Sequence, residues 1–195
     1  MPMDSDSLQE RTLHSEPAFS GKLLKLRIDT VELPNGRQAS REIVEHPGAT
    51  AIVPLDEDGN VLLVRQWRHP IGQVTLEIPA GTLDPKETVE HCARRELVEE
   101  TGYFPGRLEK LGSIYPSPGY SNEQIVLFLA SKLQHQGQQP HPQADPSWAP
   151  DPDESLQTAA IPLREAVQRC TAGAISDAKS VAGILLAWER LQGSP

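Results

Sequence analysis

Residues 81–103 read GTLDPKETVEHCARRELVEETGY, and the rest of the chain is organised around them. Five residues separate Gly81 from Glu87, and seven more separate Glu87 from Arg95. Glu96, Leu97, Glu99, Glu100 and Gly102 follow. Asp84-Pro85 is a turn signal, and 88–101 reads as a helix. At about 100° per residue, Glu96, Glu99 and Glu100 share an arc of roughly 100° on that helix. Three carboxylates so close repel one another, so a cation is expected among them. Donors that are all oxygen suit a hard ion, Mg²⁺ or Mn²⁺. The bland alternative, a solvated acidic face, leaves the spacing of the glycines and of Arg95 unexplained.

The chain has 195 residues, enough for one domain with a sizeable core. Hydrophobic residues make up 37%, low enough to expect irregular segments beside that core. A net charge of −9 argues against nucleic acid as a partner, because phosphate backbones select basic faces. It does not exclude a small anionic substrate, since local arginines and bound metal invert the potential. Cys92 and Cys170 lie far apart in predicted helices and read as reduced core thiols. No signal peptide, transit peptide or long apolar run is visible, so the expected setting is cytoplasmic, with no membrane partner.

Outward from the central stretch, the polar residues 1–17 read as a mobile N-terminal tail and 18–195 as a single domain. Strands are expected at 22–33 and 41–46, joined at Asn35-Gly36 as an N-terminal antiparallel hairpin. A second hairpin is expected from 49–55 and 60–67 around Asp58-Gly59. Further strands are expected at 74–79, near 108–115, at 124–130 and at 156–162, and helices at 163–171 and 177–191. The last helix carries Val181, Ile184, Leu185 and Trp188 as a core stripe. Residues 134–153 hold five prolines, five glutamines and a single large apolar residue, Trp148, and read as a long loop. His135 and His141 within it read as loop residues, not metal ligands. The pattern is a mixed, β-rich α/β or α+β sandwich. Arg65-Gln66-Trp67-Arg68 ends a strand, where an arginine can clamp phosphate or ribose oxygens. Asp151-Pro152-Asp153-Glu154 precedes the final strand and is a candidate source of a mobile general base.

The spacing of residues 81–103 resembles the Nudix box, with Tyr103 where an aliphatic residue is usual. Arg41 to Ala49, Arg65 to Arg68, Ile78-Pro79-Ala80-Gly81, Ser117-Pro118-Gly119, the acidic loop and Asp177-Ala178-Lys179 extend the likeness to the family's ADP-ribose pyrophosphatase branch. A proline about fifteen residues beyond the box marks that branch, and Pro118 stands there. The resemblance implies an α/β/α sandwich around a mixed sheet. It also implies Mg²⁺-dependent hydrolysis of ADP-ribose to AMP and ribose 5-phosphate, with Mn²⁺ as a substitute. Glu96, Glu99, Glu100, Glu154 and the Ala80 carbonyl would hold metal; Glu87 would support the site, and Arg95 would steady the helix carboxylates. Arg41, Arg68 and Gly119 would bind substrate. Glu154, with Asp153 as its rival, would be the base. Relatives are homodimers whose N-terminal strands reach into the partner's site, so the resemblance implies a homodimer with residues 18–47 as a dimerisation arm. Two other readings use the same residues: a pyrophosphatase for another nucleotide sugar, such as ADP-glucose or GDP-mannose, and a sensor that binds ADP-ribose without cleaving it.

Overall fold

The computed structural model describes residues 7–22, 24–137, 141–149, 152 and 155–193. The chain separates into two compact units. One comprises residues 1–47 and 117–123; the other comprises 48–116 and 124–195.

The first unit is a three-stranded antiparallel sheet, β1 (Arg11–Ser20), β2 (Lys25–Glu32) and β3 (Gln38–Glu45), in that order. β1 begins inside the stretch read as a tail. Its ten residues are all exposed, so no apolar alternation announced it. Polar cross-strand pairs hold it to β2 instead: Arg11 to Glu32 at 2.9 Å, and the Ser15 hydroxyl donating to Asp29 at 2.6 Å. Asn35-Gly36 makes the expected β2–β3 turn, with Gly36 at φ +80°. Residues 117–123 join this unit through the Val44 N–H, which donates to the Tyr120 carbonyl at 2.8 Å, and the His46 N–H, which donates to Asn122 Oδ1 at 2.8 Å.

In the second unit, β4 (Ala49–Pro54), β7 (Ala80–Thr82), β9 (Ile125–His135) and β8 (Tyr103–Ile114) form a mixed sheet in the order β7-β4-β9-β8. β4 and β9 run parallel. β5 (Asn60–Arg68), β6 (Gln73–Glu77) and β10 (Gln157–Pro162) form a second sheet, β10-β5-β6. The helices are α1 (Val89–Thr101), α2 (Leu163–Thr171) and α3 (Ala178–Gln192). Every residue of β4 is buried, because strand alternation feeds two cores at once. Ile52, Val126, Phe128 and Ala130 pack on Ala93 and Leu97 of α1. Ala51, Val53, Ile125, Leu127 and Leu129 pack in a core with Val61, Leu63, Ile78 and Ile184 and Ala187 of α3. This is an α+β sandwich with helices on both faces of a mixed sheet. α3 approaches closely at Gly183, where a Cβ would stand 2.8 Å from Ile78 Cδ1.

The expected hairpin of 49–55 with 60–67 is corrected. Its turn forms, with Gly59 at φ +79°, but the two strands enter different sheets and share only the Leu55–Val61 bridge. Full burial draws β4 to the centre of the mixed sheet, beside β9. Asp56 closes the turn by accepting the Asn60 N–H at 2.8 Å and its side-chain amide at 2.9 Å. Among the described residues, no helix is long and apolar enough to cross a membrane.

A buried charge ties the second unit's parts together. Glu77, on β6, is 1% exposed. It accepts Arg68 Nε at 2.8 Å and Nη2 at 2.7 Å, and it also accepts Thr75 Oγ1 and Lys179 Nζ. Next to it, the Ile78 N–H donates to Ser180 Oγ at 2.9 Å, and Asp177 caps α3 by accepting the Ser180 N–H at 3.0 Å. Desolvation pushes the Glu77 pKa up, but Arg68 and Lys179 outweigh it and bring the carboxyl from 4.5 to about 2. A depressed folded pKa contributes stability that is complete above the unfolded value and is lost as pH falls toward the folded one. Replacing Glu77 by Gln should therefore lower Tm at neutral pH, and the gap from wild type should narrow between pH 4.5 and about 2. The contribution at stake is on the order of 3 kcal/mol. Circular-dichroism melts across that range check this, and a pH-independent gap would contradict it.

Candidate active site

α1 has defined ends. Thr88 Oγ1 accepts the His91 N–H at 3.2 Å, and Gly102 closes the helix at φ 76°. Between them, Arg95 spreads its guanidinium over three carboxylates. Nε and Nη2 each reach Glu87 at 2.9 Å. Nη1 reaches Glu96 at 2.6 Å and Glu99 at 2.9 Å. Nη2 also donates to the Thr82 carbonyl at 3.2 Å. The Arg95 and Glu87 side chains are only 14% and 6% exposed, so this fork is little screened by water. Arg95's two hydrogen bonds are the main reason the Glu87 carboxyl falls to about 2, with His91 and the Asp84 N–H adding to them. Glu87's hydrogen bonds in turn raise the Arg95 pKa. Glu99 moves the other way: its burial raises its pKa, and the charges of Glu87 and Asp84 add to that, against the opposing pull of Arg95.

The carboxylate face meets the backbone of β7. Glu100, 8% exposed, accepts the Ala80 N–H at 3.3 Å. Glu96 lies directly over Gly81, where an added Cβ would stand 1.9 Å from Oε1. Gly81 is thus a cradle for a carboxylate. Among the described residues, no three His, Cys, Asp or Glu side chains already converge as a metal cage. The donor chemistry of Glu96, Glu99, Glu100 and the Ala80 carbonyl nevertheless fits a hard divalent cation, because every candidate ligand is oxygen.

A profile described as the nucleoside diphosphate sugar hydrolase N-terminal domain covers residues 10–44, and the NUDIX domain profile covers residues 45–182. The chain belongs to the Nudix family. It is 38% identical over 178 residues to a Bacillus subtilis (strain 168) protein named ADP-ribose pyrophosphatase, spanning 91% of this chain and 92% of that one. A Bacillus methanolicus protein named methanol dehydrogenase activator is 38% identical over 176 residues, spanning 90% and 91%. A crystal structure of an ADP compounds hydrolase superposes with a TM-score of 0.80 at 26% identity, covering 97% of this chain and 98% of that one. The two profiles meet near the boundary between the compact units.

The remaining candidates of this Nudix hydrolase lie in different settings. Arg68 belongs to the second unit, with two of its nitrogens committed to Glu77 and its charge within reach of Glu100. Arg41 and Gly119 belong to the first unit, where both line a cavity of about 790 Å³ together with Arg27, Asp29 and Tyr120. Arg41 Nε is held by Glu10 at 3.0 Å. Glu154 and Asp153 lie outside the described residues. Sequence reasoning quoted Asp177-Ala178-Lys179 only as part of the family likeness and passed over their partner Glu77, and Arg27. Thr75 and Glu77, two apart on a predicted strand, were the available signal for a polar row facing inward.

Gly81→Ala tests the cradle. The atom in the way is the far end of a flexible side chain, so the fold should survive while the Glu96 carboxylate is displaced. Tm should stay near wild type, and kcat should fall by about 10-fold or more, the usual size for a group that orients an active site. Wild-type kcat would show that the position of Glu96 over Gly81 is immaterial.

Proposed function

We propose that this Nudix hydrolase cleaves the diphosphate of ADP-ribose to AMP and ribose 5-phosphate, with Mg²⁺ as its divalent metal and Mn²⁺ as a substitute. The observation that carries the reading is the carboxylate set Glu96, Glu99 and Glu100, organised by Arg95 against the Ala80–Gly81 backbone. Similarity over most of the chain to a protein named ADP-ribose pyrophosphatase, and to the structure of an ADP compounds hydrolase, supports the choice of substrate. The equal identity to a methanol dehydrogenase activator means that a relative's name alone does not decide it.

Bound at this face, a divalent ion would neutralise phosphate oxygens and acidify a water. The chain's own part is positional and acid–base. Arg95 holds Glu96 and Glu99 in place, and Glu100 is steadied by the Ala80 N–H. Glu154, following a proline-rich segment, takes the proton of the attacking water as the P–O–P bond breaks, with Asp153 as its rival. Arg68, and Arg41 with Gly119, contact the sugar diphosphate. The protein works in the cytoplasm as a homodimer; the wholly exposed edge strand β1 supports the second part, since exposed edges are usually covered.

A panel of nucleotide-sugar diphosphates with Mg²⁺, scored by nucleoside monophosphate release, tests this. ADP-ribose should be the best substrate, by about 10-fold or more in kcat/KM over ADP-glucose and GDP-mannose. Excess EDTA should abolish turnover, and Glu100→Gln should cost orders of magnitude with the fold intact. Glu154→Gln should lower kcat by about 10²-fold at nearly constant KM. Tight ADP-ribose binding without turnover would replace the enzyme by a sensor. Preference for GDP-mannose would move the chain to another nucleotide-sugar class.

A further inference from the structure

The described stretches 136–137 and 141–149 of the insertion after β9 are fastened to α1. The insertion's polar, proline-rich composition predicts a loop with nothing to bury, yet its described residues make a series of ring contacts with α1 and the start of β8. His135, the last residue of β9 and not part of the loop expected from 134, meets Tyr103 of β8 edge-on at 5.0 Å between ring centroids. His141 stacks flat on Phe104, 4.0 Å away at 9°, and Arg94 of α1 lies 5.5 Å from the centre of the same ring. Trp148 meets His91 of α1 edge-on at 5.3 Å and 81°. Backbone contacts accompany the rings: the Gln136 N–H donates to the Gly102 carbonyl at 2.9 Å, and the His141 N–H donates to Gln136 Oε1 at 3.0 Å. A tight turn presents Trp148, with the Ser147 N–H on Asp145 Oδ1 at 2.9 Å and the Trp148 N–H on the Asp145 carbonyl at 3.0 Å.

The contact at His91 differs from the others in what lies behind it. His91 Nδ1 is 2.7 Å from Glu87 Oε1, and Glu87 is the carboxylate that both Nε and Nη2 of Arg95 grip. Arg95 then holds Glu96 and Glu99. A continuous run of contacts therefore leads from Trp148 through His91, Glu87 and Arg95 to two of the three box carboxylates. Each step restricts the next: an imidazole braced by an indole has fewer orientations, and a carboxylate braced by that imidazole has fewer too.

We propose that Trp148 and His91 are positioning residues: the insertion clamps the first half of α1 and thereby sets the carboxylates Glu96 and Glu99 through Glu87 and Arg95. The proposal rests on reading those carboxylates as the working groups. Neither residue touches substrate in this scheme. A loop that served only to cover surface would leave turnover and metal affinity unchanged when Trp148 is cut back.

The test combines activity with two readouts that do not need turnover. Trp148→Ala should lower kcat by about fivefold to tenfold with KM within about twofold, and weaken Mn²⁺ affinity by about fivefold. These effects are smaller than those usual for a direct neighbour of a metal ligand. Tm should hold, because the buried core is untouched. Trp148→Phe should restore both values. His91→Ala should raise chymotryptic cleavage of the Trp148–Ala149 bond, identified by mass spectrometry, by about 10-fold through loss of the docked state. Wild-type kcat and Mn²⁺ affinity in Trp148→Ala would overturn the proposal. So would a Trp148–Ala149 bond as resistant in His91→Ala as in wild type, or cleavage that rises with no change in kcat and Mn²⁺ affinity. If the wild-type protein cleaves no nucleotide sugar, the proposed function fails, while the Mn²⁺ and cleavage measurements still decide the clamp.

Discussion

A single guanidinium reconciles the charges on which α1 depends. Glu87, Glu96 and Glu99 are brought within hydrogen-bonding reach of Arg95, and without that cation their repulsion would oppose both the helix and its docking on β7. Its fork geometry matters as much as its charge. Two nitrogens face Glu87 while the third serves Glu96 and Glu99, a division that a lysine ammonium, as a point charge, cannot make. The same contacts leave the carboxylates ordered and facing the Ala80–Gly81 backbone, which is the arrangement a hard cation can use.

The mixed sheet supplies the platform that keeps this arrangement in place. β4 and β9 are buried on both faces, so α1 on one side and α3 on the other are registered against the same two strands. Glu77 repeats the theme of a buried carboxylate satisfied by cations, here Arg68 and Lys179, and it joins β5 and β6 to the start of α3. Both sites use buried charge with full partners, the arrangement in which removing one member leaves the others unsatisfied. Arg68 consequently has a structural commitment alongside any role in recognition.

The first unit is built on different terms. Its outer strand is held by polar cross-strand pairs, and its cavity gathers Arg27, Arg41 and Gly119 beside several acidic groups. The arginines are paired with acids there, Arg27 with Asp29 and Glu45 and Arg41 with Glu10. The chemistry-bearing helix and the rigid core lie in the second unit, so the chain divides by composition as well as by contact.

The sequence alone determined the helix, read at 88–101 and observed at Val89–Thr101, the shared face of Glu96, Glu99 and Glu100, and the family to which these belong. Those features depend on local spacing, turn chemistry and helical periodicity, which neighbours along the chain settle among themselves. Most strands were legible for the same reason. Their partners were not: Asp58-Gly59 announces a turn, but only burial of β4 on both faces sends it to β9 and not to β5. β1 escaped notice because its pairing is polar and carries no hydrophobic period. The ion pair of Lys179 with Glu77 and the ring contact of Trp148 with His91 join residues far apart in sequence. Such contacts exist only once distant segments are packed together, and tertiary structure alone decided them.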